Sequence, residues 1–523
     1  MNFVVDQVNK SLPSGRPAIN TATLDGMLLL LITWGLYLWR LGTVPLRDWD
    51  EGTIASVARG MATSGDWIYP TIYGGPYLNK PPLVEWLMAA GYGIAGVSEW
   101  TSRLLPAMVS GLAIPLLYGV GREVFGQRRP ALLAAGVFLT LLPVVRHSRL
   151  AMRDGVAVTL FLLLLLWGLK ARKQPIYALG IGVSLGLIAL TKGILVLLLG
   201  LIAGVFLGVS QGRYLLRNRY VWLGLVLGSL PVVLWYGAQI LRYGEVYWQG
   251  HFISQSFERV TSAIEDHQQP PWYYFLELLK YSWPWLMFWP GGLWLAWRQR
   301  QRPWGQLVLV GTGIYMGAIS LMGTKLPWYI VPLYPLMALA IGGYLHQYWQ
   351  RPPRWAVGIL GLIAIAVPIG GIYLGLRDQQ PTLIAIAIVL GSTTGWTAWR
   401  LWQRQSRWCL TLMTGLYLTL LLLMGSDFWL WELNEAYAVK PVAAMIKQQV
   451  PAAAEVVTTF SYGRPSLNFY CDRYITSLSG PPLLDRWQEH LYVLAEAHHL
   501  PDLPPYREID RTEDMVLIQT LAQ

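Results

Sequence analysis

The sequence predicts an all-α polytopic membrane protein with a small soluble α/β domain at its C-terminus. Three observations predict it. Of the 523 residues, 54% are hydrophobic and 13% charged, with a mean hydropathy of +0.39, a balance that fits a bilayer-embedded chain better than a string of soluble domains. Apolar runs long enough to cross a hydrocarbon core of about 30 Å recur from residue 25 to residue 430. After residue 430 the runs shorten to strand length.

Residues 1–24 are polar and carry Lys10 and Arg16, and the apolar run that follows is too long for a cleaved signal peptide. It is expected to be a retained first span. Further runs lie near 103–121, 131–147, 155–170, 176–191, 194–210, 220–240, 272–297, 305–323, 328–347, 355–376, 381–399 and 409–430, which with 25–45 makes about thirteen spans. Every second loop is basic and almost free of acids: Arg122, Arg128 and Arg129; Lys170, Arg172 and Lys173; Arg213, Arg217 and Arg219; Arg298, Arg300 and Arg302; Arg351 and Arg354; Arg400, Arg404 and Arg407. The positive-inside rule puts these loops and the N-terminus in the cytoplasm. The net charge of +11 is therefore a topology signal and not a nucleic-acid footprint. Cys409 and Cys471 are too few for a disulfide framework and are expected to be free thiols.

The first outer loop, 46–102, is written unlike a connector. Its segment RDWDEGTIASVARGMATSGDWIYPTIYGGPYLNKPP holds Asp48, Asp50, Glu51, Asp66 and Lys80. Ile54, Val57, Ala58 and Met61 fall at the spacing of an amphipathic interfacial helix, with Asp50 at the N-cap position and Ser64-Gly65 at the end. An Asp there stays ionised near neutral pH and accepts protons; the alternative is a plain capping residue. Lys80 precedes Pro81-Pro82, which launch a second helix, and a cation at a helix start suits phosphate; the alternative is a snorkelling side chain.

Further along, Arg146, His147, Arg149, Arg153 and Asp154 gather at the junction of the third and fourth spans, and Lys192 and Lys325 interrupt or begin apolar helices. Ionisable groups at such depth mark function, although Arg149 or Arg153 could simply neutralise Asp154. The second long outer loop, 242–271, offers Arg259 as a phosphate ligand, with His251 and His267 expected at the surface. No HExxH, CxxC or glycine-rich phosphate loop occurs. In residues 431–523, AVKPVAAMIKQQV predicts a helix, and EVVTTF, HLYVLAEA and MVLIQTL predict strands.

The stretch from DEGTIASVARG through NKPPLVEW, followed in order by SRLAMRDGVAVTLFLLL, ALTKGILVLLLG, FERVTSAIEDHQQPPWYYF and TKLPWYIVPLYPLMAL, resembles the C-type membrane glycosyltransferases. The likeness is to the bacterial aminoarabinose (lipid A) transferases and, more distantly, the protein O-mannosyltransferases. It implies Asp50 as catalytic base, Lys80 as ligand of the lipid-linked phosphate, and Asp154 as a second active-site acid. It also implies Lys192, Arg259 and Tyr329 near the donor phosphate; Glu51, Arg149, Arg153 and Lys325, ionisable groups at the same depth, are expected to support them. Two positions depart from the aminoarabinose pattern: Thr53 stands in place of Arg, and Asn79 in place of Glu.

The expected reaction moves a monosaccharide from a polyprenyl-phosphate donor to a lipid, glycan or protein acceptor of the envelope, with inversion. The expected enzyme is a monomer of the bacterial inner membrane that binds membrane lipids and no nucleic acid. Its site and C-terminal domain face the periplasm; no cofactor is required, and a divalent cation is compatible but not demanded. The competing class is a polyprenyl-lipid flippase, which predicts internal repeats and charges on both sides of the midplane.

Overall fold

The computed structural model describes residues 21–521 apart from 49, 213, 263–268, 351–352, 431–437, 461 and 513. Lys10, Arg16, Arg213, His267 and Arg351 of the sequence reading lie outside the described residues.

Each apolar run holds at least one helix. They are α1 (Thr21–Tyr37), α4 (Glu99–Gly111) with α5 (Ala113–Phe125), α6 (Arg128–Leu139) with α7 (Leu142–Arg149), α8 (Arg153–Ala171), α9 (Leu179–Lys192) and α10 (Leu195–Gln211). After the short α11 (Tyr214–Arg217) come α12 (Arg219–Tyr247), α13 (Glu258–Thr261), α14 (Tyr273–Tyr281), α15 (Trp289–Arg298), α16 (Pro303–Leu321), α17 (Tyr334–Gln347), α18 (Trp355–Arg377), α19 (Pro381–Trp402) and α20 (Trp408–Met424). Among the described residues, eight helical segments are individually long and apolar enough to cross a membrane, and α6 with α7, bent by 63°, makes a ninth. The run at 272–297 is broken into short pieces by Pro284 and Pro290, which cannot donate to a helical ladder.

Burial sorts these helices. The segment Pro327–Gln347, which contains α17, is 89% buried and α8 is 72% buried, whereas α18 is 6% buried. A span that is apolar on every side yet buried by only 6% faces lipid, so α8 and α17 form the centre and α18 the flank. Two small-residue pairs join α9 to α12: a Cβ on Gly182 would meet the backbone of Gly224 at 2.0 Å, and one on Gly186 would meet Gly228 at 2.0 Å. Four-residue glycine spacing on both helices lets the backbones touch. The contact fixes the helix that ends in Lys192 against the one that leads to Arg259.

Between α1 and α4 lie the amphipathic α2 (Asp50–Ser64), a small hairpin of β1 (Thr71–Ile72) and β2 (Gly75–Pro76), and α3 (Leu83–Ala95). The predicted inner face of α2 is buried, from Ile54 through Met61, and Gly65 ends the helix at φ +73°.

The C-terminal region holds α21 (Val439–Gln449), β3 (Val456–Thr458), α22 (Pro465–Cys471), β4 (Thr476–Ser477), α23 (Pro481–Asp485), β5 (Tyr492–Glu496), β6 (Tyr506–Thr512) and β7 (Met515–Thr520). The sheet order is β4-β3-β5-β7-β6, with β3 parallel to β4 and β5 and the remaining pairs antiparallel. Strand alternation divides its core. Val456, Leu494 and Leu517 pack toward α21 and α22, while Val457, Val493 and Val516 pack with Leu483 and Trp487 on the other face. The predicted helix and three strands are present; α22 and β6 were not predicted, because one, PSLNFYC, spans only two turns and the other, YREIDRT, is mostly charged. Cys409 and Cys471 are free and buried.

Candidate active site

The site is assembled around the start of α2. Glu51, fully buried, accepts from Arg103 Nε at 2.8 Å and Nη2 at 2.7 Å, from the Arg47 backbone N–H at 3.0 Å and from the Ala151 N–H at 2.7 Å. Burial works to raise the carboxyl's pKa, but the Arg103 charge and these hydrogen bonds outweigh it and hold it below the ordinary glutamate value. Arg103 also donates to the carbonyls of Leu41, Val44 and Pro45. Glu51 thus ties α2, α4 and the turn before α8 together, and its role is to fix the frame.

Asp50, the neighbour on that rigid start, is placed differently. Its carboxylate makes no hydrogen bond to any described residue, and the expected capping bond is absent because α2 begins at Asp50 itself. Asp48 does the capping instead, for another helix: its carboxylate accepts the Ser466 N–H at 3.0 Å at the start of α22, and pairs with Arg464 at 2.5 Å. Burial raises the Asp50 pKa above the usual aspartate range, Arg47 opposes it, Asp154 adds to it, and Arg153 and Lys192 oppose it again. A carboxylate of raised basicity without hydrogen-bond partners is suited to accept a proton.

Around it stand the cations. Lys192, at the C-terminal end of α9, bonds Asp154 at 2.5 Å and lies 5.3 Å from the Tyr329 ring centroid. Arg153 pairs with Glu85 of α3 and donates to Tyr77 Oη at 3.3 Å. Asp154 is therefore neutralised by Lys192, and neither Arg149 nor Arg153 pairs with it. Among the described residues, the one hydrogen bond of the Lys80 ammonium is to the Gln255 carbonyl, at 3.3 Å. Burial, followed by the nearby charges of Arg259, Arg153 and Lys192 and opposed by Asp50, pulls its pKa down to about 7. Five positions drawn from the first loop, α8, α9 and α13 thus converge on one electrostatic neighbourhood. Glu85 Oε2 and Arg153 Nε are buried without a hydrogen-bond partner among the described residues.

Two expected supporters stand elsewhere. Arg149 donates to the carbonyls of Leu36, Tyr37, Trp39 and Met424, closing the C-terminal ends of α1 and α20. Lys325 donates to Met322 O at 2.5 Å within its own loop. His251, expected at the surface, is buried: Nδ1 lies 3.1 Å from Asn79 O and 3.3 Å from Leu78 O, and Nε2 lies 3.1 Å from Tyr236 Oη. Two carbonyls at Nδ1 require its N–H there, so Nε2 accepts from the tyrosine, and the ring pins the residues just before Lys80. Sequence reasoning missed Arg47, Tyr77 and Glu85. Glu85 had a signal, an acid within an otherwise apolar helix; Arg47 and Tyr77 had none that distinguished them from neighbours.

The crystal structure of ArnT from Cupriavidus metallidurans bound to undecaprenyl phosphate superposes with a TM-score of 0.79 over 97% of this chain and 99% of that one, at 19% identity. The fold is therefore that of the C-type membrane glycosyltransferases. A family model described as dolichyl-phosphate-mannose-protein mannosyltransferase matches residues 79–236. Undecaprenyl phosphate-alpha-4-amino-4-deoxy-L-arabinose arabinosyl transferase 2 of Pseudomonas fluorescens is 30% identical over 399 residues, covering 72% of this chain and 68% of the relative. Transferase 1 of the same organism is 28% identical over 355 residues, 64% of each chain, so that match spans less than two thirds of the relative's length. The chain belongs to the family of the undecaprenyl phosphate-aminoarabinose arabinosyl transferases.

Proposed function

We propose that the protein transfers a monosaccharide from a polyprenyl-phosphate donor to a hydroxyl of an envelope acceptor, with inversion at the anomeric carbon. The observation that carries this reading is the pairing of one carboxylate of raised basicity, Asp50, with the cations Lys80, Arg153, Lys192 and Arg259. Asp50 takes the acceptor proton as the acceptor oxygen attacks the anomeric carbon. The bond from that carbon to the phosphate oxygen breaks, and its electron pair leaves with the polyprenyl phosphate. Lys80 and Arg259 meet the charge growing on that phosphate, and Tyr329 lies beside Lys192 at its edge. Donors of this kind, fixed before the reaction, commonly lower a barrier by several kcal/mol, or about 3 for a single group. Asp154 holds Lys192 in place, and the cations supply the charge a divalent ion would otherwise bring.

The names of the relatives support undecaprenyl phosphate as the carrier lipid. Thr53 and Asn79 bear on which sugar is taken. On this reading the site and the C-terminal region face the outside of a bacterial inner membrane, with the N-terminus in the cytoplasm and the enzyme acting as a monomer. The acceptor is a lipid A-like lipid, another glycan or a protein.

The test is transfer of labelled sugar from synthetic polyprenyl-phosphate donors to envelope lipids and proteins by wild type and Asp50→Asn, purified in detergent. Wild type labels one acceptor; the variant binds donor and loses about 10²–10⁴-fold in turnover. Equal transfer by both refutes the assignment of Asp50. Movement of lipid between leaflets without transfer replaces the reading with a flippase.

A further inference from the structure

Glu496, at the end of β5, and His498 and His499, in the tight turn Ala497–Asp502 that follows, form a cluster the transfer reaction does not use. Glu496 Oε2 lies 3.4 Å from His498 Nε2 and 3.3 Å from His499 Nδ1, and the ligand atoms of all three residues fall within 4.8 Å of one another. These distances are too long for charge-assisted hydrogen bonds, which close to about 2.7–2.9 Å. The two Glu–His distances match a different geometry. Nitrogen and oxygen ligands held about 2.0–2.1 Å from a tetrahedral zinc ion stand about 3.3–3.4 Å from each other.

We propose that Glu496, His498 and His499 bind a divalent transition-metal ion, Zn²⁺ by the character of the ligands, and leave a fourth position open to water or to an oxygen of an anionic ligand. Two imidazoles and one carboxylate form a three-ligand set typical of zinc sites with an open position, and imidazole disfavours the hard ions calcium and magnesium. The frame is prepared. Glu496 is paired with Met515 across β5 and β7, and the Ala497 N–H donates to Asp514 O at 2.8 Å, so the backbone on both sides of the carboxylate is fixed. The His498 and His499 side chains are 69% and 48% exposed, which leaves the open position toward solvent.

The location adds to the argument. β3 and β5 run parallel, and the cluster lies at their carboxyl edge, where open α/β sheets take their ligands. β3 ends at the same edge shortly before Arg464, which pairs with Asp48 of the first loop. The proposal does not depend on the transfer chemistry.

The test uses the full chain, with any affinity tag removed and metals stripped by chelation, titrated with Co²⁺ as a spectroscopic stand-in and then with Zn²⁺. Wild type takes up one equivalent of Co²⁺ with the intense visible absorption of a low-coordinate site, and Zn²⁺ displaces it. H498A/H499A weakens binding by at least about tenfold, since even indirect supports of a metal site matter that much; E496Q weakens it as well, and H490A leaves it unchanged. The substituted histidines are exposed, and an unchanged melting curve verifies the fold. Absence of the Co²⁺ signal from wild type, or its full retention in H498A/H499A, overturns the proposal.

Discussion

Lys80 is half-deprotonated near pH 7 in the free protein, because burial and three neighbouring cations oppose its charge. A glycosyl polyprenyl phosphate is a phosphodiester with one fixed negative charge, so it does not titrate between pH 6 and 9. Its arrival next to Lys80 removes the repulsion by supplying the missing anion, and the lysine returns toward its ordinary value of 10.5. Binding above pH 7 must therefore take up a proton. With the free-state value near 7 and the bound-state value near the ordinary one, donor affinity falls about fivefold from pH 7 to 8 and about fiftyfold from pH 7 to 9. Below pH 6 the lysine is charged in both states and this dependence disappears. The assay is donor binding across pH 6–9 at constant ionic strength to Asp50→Asn, which removes turnover and, by taking away an acid that favours the lysine charge, shifts the onset of the fall to lower pH than in wild type. Lys80→Arg, charged throughout, should bind with a flat profile. A flat profile for Asp50→Asn alone, or an unchanged slope after Lys80→Arg is added to it, refutes the argument that Lys80 meets the phosphate.

Three further predictions concern the frame. Asp154→Leu or Lys192→Leu alone strands a buried charge and should lower stability by about 3–5 kcal/mol, whereas the double replacement should recover most of it; thermal unfolding in detergent separates these cases, and transfer activity should be lost in all three. Glu51 is held below its ordinary value, so its stabilisation is present above about pH 4.5 and is lost as pH falls through the lower folded-state value. Glu51→Gln should therefore melt well below wild type at pH 7, and the gap should narrow in acid. In Gly52→Ala, the new Cβ would stand 2.6 Å from Ser466 N and 2.8 Å from Pro465 C, backbone atoms that cannot rotate away; turnover should drop roughly 10–100-fold at near-normal donor binding, with faster proteolytic release of the C-terminal region.

The parts of the fold set by local pattern were legible in the sequence. Apolar length marked the runs, the spacing of Ile54, Val57, Ala58 and Met61 marked α2, and the short apolar runs in YVLAE and MVLIQT marked two strands. What local pattern could not supply was the partner of each buried charge. Arg149 finds the carbonyl of Leu36 across 113 residues of sequence, and Glu51 finds Arg103 across 52, so a cluster of cations near Asp154 looked like a single site although only part of it belongs there. His251 was misjudged for the same reason, since its polar flanks resemble a surface loop until Tyr236 and Tyr247 close over it. Asp50 and Lys80 stood out because acids and cations in a loop between apolar runs need a reason to be there.

The contact between Asp48 and Arg464 joins residues 416 positions apart, and Arg59 is held by Asp472 at 2.7 Å. During synthesis the first loop is made early and its brace late. At a ribosomal pace of about 5–20 residues per second, α2 waits tens of seconds at the membrane surface before α22 reaches it. For that interval the nascent protein has the first loop but not the Arg464 and Asp472 contacts that brace it, so a chain interrupted within the spans lacks both ion pairs. The order of translation thus leaves the earliest-built outer loop to be braced by one of the last-built helices.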